Sequence, residues 1–105
     1  MSNIDHFRKL ALSFEASVEA PHFERSSFRI KGKIFATLDL KTNIACLMLS
    51  LVDQSVFIVF DPKIIYPVPN KWGLKGATYV NLELVPKAML KDALTQAYFH
   101  VLNKK

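Results

Sequence analysis

The chain has 105 residues, of which 50% are apolar and 22% charged, and its formal net charge is +5. This composition excludes a disordered protein and predicts one globular domain over residues 1–105. The positive charge favours an anionic partner such as nucleic acid or a membrane surface, although a basic surface can also serve solubility alone.

The N-terminus and the cysteine count bear on where the protein resides. Residues 5–9 (DHFRK) precede any apolar run, which is unlike a secretory signal peptide. The apolar stretches at 44–52 and 56–60 are too short to cross a bilayer. Cys46 is the sole cysteine, so no intramolecular disulfide can form. We therefore expect a cytoplasmic protein that does not enter a membrane.

The first predicted element is an amphipathic helix over residues 3–14, capped by Ser2 or Asn3 and carrying Asp5 near its positive end. Its apolar residues recur every three or four positions and form one stripe: Ile4, Phe7, Leu10, Ala11 and Phe14. A short extended segment that contains Pro21 follows over residues 18–23.

Residues 26–31 and 33–40 are predicted to form two strands joined at Gly32. Alternation places on one face Phe28, Ile30, Phe35 and Thr37, and this face is the better core candidate. The other face then carries Arg29, Lys31, Ile34, Ala36 and Leu38. That mixture of basic and aliphatic residues suits a half-open sheet surface.

A turn at 39–43 and a buried strand at 44–49 come next. The segment 50–60 is ambiguous, because its second half (VFIVF) has strong strand propensity. A helix also fits, with Ser50 as its N-cap and Asp53 as its third residue. Length and periodicity leave both alternatives open.

Residues 66–76 (YPVPNKWGLKG) are the most distinctive segment. They hold the only tryptophan, two of the five prolines and two of the three glycines. Prolines stiffen the chain and glycines permit unusual backbone angles, which predicts a turn-rich loop that presents Trp72 between Lys71 and Lys75.

The last predicted elements are a strand over 77–84 and a helix that Pro86 opens in its first turn. The helix carries an apolar stripe: Met89, Leu90, Ala93, Leu94, Ala97, Tyr98, Val101 and Leu102. A short basic tail, residues 103–105, ends it.

The sequence contains no phosphate-binding glycine loop, no zinc-ligand spacing and no His-Glu-x-x-His pair. The histidines His6, His22 and His100 are scattered, and a structural role suits His22 better than direct chemistry. Cys46 lies in a buried strand pattern, which predicts an unreactive core thiol. We therefore expect no enzymatic activity, no cofactor and no metal site.

The basic residues cluster on the hairpin and the loop: Arg25, Arg29, Lys31 and Lys33, then Lys71 and Lys75 beside Trp72. Such groups can contact a phosphate backbone while an aromatic ring stacks on bases. Alternatively, they solvate an exposed sheet face and Trp72 packs on the protein body.

Three blocks in order resemble the MmcQ/YjbR family of small bacterial proteins: 11–23 (ALSFEASVEAPHF), 27–38 (SFRIKGKIFATL) and 66–82 (YPVPNKWGLKGATYVNL). The resemblance covers nearly the whole chain. It implies an α+β two-layer sandwich of frataxin-like shape, in which an antiparallel sheet packs against N- and C-terminal helices. It also implies that 50–60 is a short middle helix.

The same resemblance implies a DNA-binding protein that uses a double-winged surface. The matching positions are Arg29, Lys31 and Lys33 in the hairpin and Lys71, Trp72 and Lys75 in the loop. Ala77 stands where relatives frequently have tryptophan, which removes one aromatic ring from that surface. Iron binding is not implied, because it uses an acidic ridge, whereas the first helix here carries Arg8 and Lys9 beside Asp5.

Two other hypotheses stay open. A protein-interaction or regulatory domain of unknown partner would use Ile34 and Leu38 of the open sheet face together with Trp72. A small-molecule site or minor enzyme would use a pocket near His22, Tyr66 and Trp72. DNA binding gains support if the lysines of hairpin and loop merge into one surface, and the interaction hypothesis gains it if they diverge. We expect a monomer.

Overall fold

The computed structural model describes residues 3–22 and 25–104, without the side chain of His22. The elements in chain order are α1 (Asn3–Leu12), β1 (Val18–His22), β2 (Arg25–Ile30), β3 (Lys33–Asp39), β4 (Ile44–Met48), α2 (Leu51–Ile58), β5 (Ile65–Pro67), α3 (Lys71–Leu74), β6 (Ala77–Asn81) and α4 (Lys87–Leu102). The alternative cap Ser2 and the strand end at Phe23 lie outside the described residues.

The described strands form one antiparallel sheet in the order β1-β2-β3-β4-β6-β5. Helices α1 and α4 pack on one face of this sheet, and the buried face of α2 joins the same apolar core. This arrangement confirms the predicted α+β two-layer sandwich with N- and C-terminal helices and a short middle helix. The opposite face of the sheet is called here the open face, and none of the long helices among the described residues packs on it.

The core follows from the apolar stripes of the two terminal helices. Helix α4 buries Leu90, Ala93, Leu94, Ala97, Tyr98 and Val101, as its stripe predicts. Phe14 stacks on Tyr98 with 4.7 Å between ring centroids, and Phe35 meets the same ring edge-on at 5.5 Å. The Tyr98 hydroxyl donates a hydrogen bond of 2.7 Å to the Glu15 carbonyl, so the polar group of this buried side chain has a hydrogen-bond partner.

A β-bulge interrupts the β2–β3 hairpin. Phe28 pairs with Ala36 and Arg29 pairs with Ile34, so Phe35 is left without a partner on β2. The extra residue shifts the alternation of side chains by one position. Phe28, Phe35 and Ala36 are consequently all buried against the helices, whereas Arg29 and Ile34 face the other way.

The bulge corrects the predicted division of faces beyond Phe35. Ala36 and Leu38 are fully buried on the helical side, so the prediction that placed them on the open face is wrong. Thr37 pairs with Cys46 on the open face rather than contributing to the main core. Lys31 belongs to neither face, because it forms a two-residue turn with Gly32 at φ values of 52° and 78°.

Segment 50–60 is helical, as the family resemblance implies and against its local strand propensity. Ser50 caps α2 by accepting a hydrogen bond of 3.1 Å from the Asp53 N–H, which confirms the predicted cap. Phe57 enters the main core. The buried amide of Gln54 donates to the carbonyls of Gly73 and Ala77 and to the Thr78 hydroxyl at 3.0–3.2 Å.

Several element ends differ from the predictions by a few residues. Helix α1 stops at Leu12 rather than residue 14, and β6 stops at Asn81 rather than residue 84. Pro86 is the N-cap of α4 rather than its first helical residue. None of the helices in the described part of the chain is long and apolar enough to cross a membrane.

Candidate nucleic-acid interface

The open face of the sheet carries side chains from four adjacent strands. They are Arg25, Ser27 and Arg29 of β2, Ile34 and Thr37 of β3, Cys46 and Met48 of β4, and Ala77 and Tyr79 of β6. Paired residues on neighbouring strands point to the same side, so these side chains form one continuous surface. Its centre is apolar and its first strand is basic.

The segment after β5 folds back over one side of the open face. Val68 is 8% exposed and forms a small apolar cluster with Cys46 and Ala77, against which Met48 and Tyr79 pack. The Val68 N–H donates a hydrogen bond of 3.0 Å to the Ala77 carbonyl. The distinctive loop is therefore anchored to the sheet rather than detached from it.

Two glycines permit this close packing. A Cβ at Gly73 would lie 1.8 Å from the Val68 carbonyl oxygen. A Cβ at Gly76 would lie 1.9 Å from the Leu49 carbonyl oxygen, and Gly76 also has a φ of +109°. Both neighbours are backbone atoms, so any larger residue would displace the chain.

Trp72 lies on the short helix α3 within this loop. The Asn70 side chain caps α3 by accepting a hydrogen bond of 2.8 Å from the Trp72 N–H. The indole is 54% exposed, and the Lys75 ammonium lies 5.4 Å from its ring centroid. That distance is within the range of a cation–π interaction. Trp72 thus neither projects freely nor packs into the core.

A cleft of about 280 Å³ separates α3 from the β2–β3 hairpin and the end of α4. Its polar residues, which define the basic cleft, are Lys33, Lys75, His100 and Lys104, with Trp72 on its wall. The Lys33 ammonium donates a hydrogen bond of 3.1 Å to the Lys104 carbonyl. The cleft lining holds three lysines and, among the described residues, no Asp or Glu, although Asp53 lies close enough to act on His100.

A second depression, of about 470 Å³, extends the basic cleft across the open face and is called here the aromatic groove. Trp72 stands between the two, and Ile34, Met48 and Ala77 contribute to both floors. Tyr79 also lines the aromatic groove, which reaches Arg25 at its far side. The two depressions therefore form one concave surface with basic groups at both ends.

At the far end of this surface, a negatively charged side chain lies beside Arg25. A depression of about 230 Å³ there is lined by Arg25, Thr37, Asp39 and Tyr79, among other residues. The Asp39 carboxylate accepts a hydrogen bond of 2.9 Å from the Lys41 N–H, and this bond chiefly lowers the pKa of Asp39. Arg25 lowers that pKa further, so the carboxylate is ionised and neutralises part of the Arg25 charge.

Two titratable groups in the surface are held neutral. Burial lowers the pKa of His100 below its ordinary value of 6.5, and the nearby Lys104 lowers it further, whereas Asp53 opposes the shift. Burial raises the pKa of Cys46 to about 11, so its thiol is protonated at neutral pH. Within the described part of the chain, no His, Cys, Asp or Glu side chains gather in a group that could hold a metal ion.

Of the six predicted site residues, the structure brings three together. Lys33, Trp72 and Lys75 line the basic cleft. The Arg29 guanidinium instead donates to the Ser27 hydroxyl at 3.0 Å on the open face. Lys31 is exposed in the hairpin turn, and Lys71 is exposed at the start of α3. These three residues lie outside both depressions.

Sequence reasoning missed Lys104, His100 and Tyr79 as members of the surface. Lys104 belongs to a short basic tail, and only the packing of α4 brings it beside Lys33. The alternating pattern of β6 places Tyr79 on the open face, but only once the register with Cys46 is known. Of the residues of the predicted small-molecule pocket, Tyr66 packs against Tyr79 and lines neither depression, and the side chain of His22 lies outside the described part of the structure.

Comparison with known proteins establishes the fold. The crystal structure of the Deinococcus radiodurans protein DR2400, which contains a DUF419 domain, matches with a TM-score of 0.83. The two sequences are 23% identical, and the match covers 96% of this chain and 79% of that one. No family model matches the sequence, and a comparison with curated proteins gave no match. The chain therefore shares its fold with a DUF419 domain protein.

Proposed function

We propose that this protein binds DNA without enzymatic activity, through phosphate contacts centred on the basic cleft. The observation that carries this proposal is the convergence of Lys33 from the hairpin and Lys75 from the loop on one cleft beside Trp72. Lys104 adds a third ammonium group to the same cleft. Convergent lysines in a site that contains no described carboxylate are suited to a phosphate backbone.

The resemblance to the MmcQ/YjbR family supports the same function, and the structural similarity to a DUF419 domain is compatible with membership of that family. Of the residues that the resemblance implicates, we assign direct contacts to Lys33, Trp72 and Lys75. Lys31 is exposed in the hairpin turn and Lys71 is exposed on α3, and both serve as peripheral phosphate contacts. The bacterial origin, the cytoplasmic location and the monomeric state stay predictions.

The salt dependence of binding tests this proposal. Affinity for DNA should fall linearly on a log–log plot against salt, by about 0.9 for each phosphate neutralised in a duplex and about 0.7 in a single strand. The double variant K33A/K75A removes two contacts and should flatten the slope by about 1.8 with a duplex or about 1.4 with a single strand. K87A/K91A removes the same charge from exposed positions on α4 and is the matched control. Equal slopes for the two double variants, or no binding to either duplex or single-stranded DNA at about 50 mM salt, would reject the proposal.

The interaction hypothesis is the second candidate, and one observation favours it. Helix α2 and its C-cap residue expose an apolar strip in which Val52, Val56 and Val59 are 73%, 64% and 81% exposed. The open-face version of that hypothesis is weakened, because Leu38 is buried on the helical side. Substitution V56D on α2 would abolish a protein contact made there while leaving nucleic-acid binding unchanged, which separates the two functions.

A further inference from the structure

We propose that the ligand of the open face is single-stranded nucleic acid, with one unpaired base against Trp72 and another over Tyr79. Its phosphates lie at Arg25 on one side and at Lys33, Lys75 and Lys104 on the other. This inference rests on the proposed function and adds to it the form of nucleic acid and the groups that read it.

The shape of the surface supports an extended strand. The basic cleft and the aromatic groove share Trp72, Ile34, Met48 and Ala77, so a ligand can pass from one to the other without leaving the protein. From β2 to β6 the groove crosses three strand spacings, which is about 14 Å. Arg25, with Asp39 beside it, stands at one end of this path and three lysines stand at the other, and the floor between them is mostly apolar.

The chemistry of the floor is suited to bases rather than to phosphates. Ile34, Met48 and Ala77 offer no hydrogen-bonding side chain, and Cys46 is protonated. A half-exposed indole at one end of the floor and the Tyr79 phenol at the other provide flat rings. Open sheet faces that bind single strands use this combination of aromatic rings and surrounding positive charge.

A duplex cannot use these rings. Its bases are stacked inside the helix, and only their edges are accessible in the grooves, where a helix or a two-stranded ribbon must enter. Helix α3 has four residues, which is too short to read a major groove. The Lys33 ammonium at the start of β3 donates to the Lys104 carbonyl, so this end of the β2–β3 hairpin lies beside the end of α4.

Trp72 is the only tryptophan and therefore reports directly on its own contacts. The experiment titrates the unmodified protein with a 12-nucleotide oligo-dT, with oligo-rU of the same length and with a blunt-ended duplex, at about 50 mM salt. Both single strands should quench the indole emission on binding, and the duplex should not. N-acetyltryptophanamide titrated with the same oligonucleotides corrects for absorption by the bases.

Anisotropy of labelled oligonucleotides then measures the contribution of each ring. Loss of one stacked base weakens single-strand binding by roughly 5- to 150-fold, so W72A should fall in that range, and Y79L should weaken binding in the same direction. W72F and Y79F retain a ring and should stay within about threefold of the parent protein. Circular dichroism of each variant verifies that the sheet is intact.

The outcomes separate this inference from the proposed function. Duplex binding that K33A/K75A weakens, without indole quenching by single strands, would leave the function standing and overturn the single-strand inference. Single-strand binding that W72A and Y79L do not change would overturn it as well. No binding to any of the three oligonucleotides would reject both. Equal affinity for oligo-dT and oligo-rU would support the inference and show that the sugar is not read.

Discussion

The Lys33 ammonium donates a hydrogen bond of 3.1 Å to the backbone carbonyl of Lys104, 71 residues further along the chain. The acceptor lies just beyond the last residue of α4, where unpaired carbonyls make the helix end negative. This contact holds the hairpin against the end of the helix and brings two lysine side chains into one cleft. The positive charge of the site is thus stabilised by the dipole of the final helix.

Acidification should weaken folding and strengthen anion binding through His100. Its pKa is lowered by burial in the folded protein, so the unfolded chain takes up a proton first as the pH falls below 6.5. The contribution of His100 to folding stability is therefore complete well above pH 6.5, and it is lost progressively as the pH falls toward the pKa of the folded state. We expect H100Q to lose less stability than the parent between about pH 7.5 and 5.5, as measured by urea unfolding.

A bound polyanion favours the protonated form of the same histidine. The affinity of the parent protein for an oligonucleotide should therefore rise over that pH range, in addition to any rise that H100Q shows. The cleft charge that opposes protonation is that of Lys104, which a bound phosphate would neutralise. Identical pH dependence of binding in H100Q and the parent would remove His100 from the site.

The Cys46 thiol should react slowly in the folded protein. With a pKa of about 11, it has roughly a hundredth of the thiolate fraction of an ordinary cysteine at pH 8. Modification by a disulfide reagent should therefore be at least about a hundredfold slower in the folded state than in urea. A folded-state rate close to the unfolded rate would contradict the burial described for this strand.

Replacement of Gly76 by alanine should destabilise the protein more than replacement of Gly32. Both glycines have positive φ, which costs alanine about 1–2 kcal/mol. The Cβ at position 32 meets nothing within 4 Å, whereas at position 76 it would meet the Leu49 carbonyl at 1.9 Å. Overpacking adds about 1–3 kcal/mol there. The difference between the unfolding free energies of G32A and G76A in urea isolates the effect of the contact with the Leu49 carbonyl. Equal losses of stability would show that the loop moves to admit the Cβ without cost.

Substitution Q54M tests the connection between α2 and the loop. Methionine has a similar volume, but it removes the Gln54 donor from the carbonyls of Gly73 and Ala77, which keep their backbone donors, so the loss should be about 0.5–1.5 kcal/mol. The neighbouring S55A removes an exposed hydroxyl and should change stability by less than about 0.5 kcal/mol. The indole emission of Trp72, next to Gly73, should shift only in Q54M. Unchanged stability in Q54M would show that solvent replaces the amide.

The order of elements could be predicted from the sequence because most stripes and turns act locally. The stripe of α4 and the Ser50 cap both agree with the structure. Segment 50–60 could not be assigned on propensity, because burial of Gln54 and Phe57 decides it and neither contact is local. The resemblance to a family supplied the missing long-range information for this helix.

The candidate site was only partly predictable, for a related reason. Trp72 and Lys75 are neighbours within one loop, and their proximity is a local property. Lys33 and Lys104 meet only through the packing of a hairpin against a helix. Arg29 and Lys31 were grouped with Lys33 by sequence proximity, but the turn and the strand direct them elsewhere.

The bulge at Phe35 gives β3 one residue more than regular pairing with β2 needs. Because side chains alternate with a period of two, deletion of Phe35 would restore regular pairing and leave Ile34 on the open face and Ala36 on the helical side. The deletion would still remove the Phe35 ring, which is fully buried and meets Tyr98 edge-on at 5.5 Å. A single-codon deletion at this point would therefore preserve the two faces of the sheet and cost the packing of one aromatic side chain.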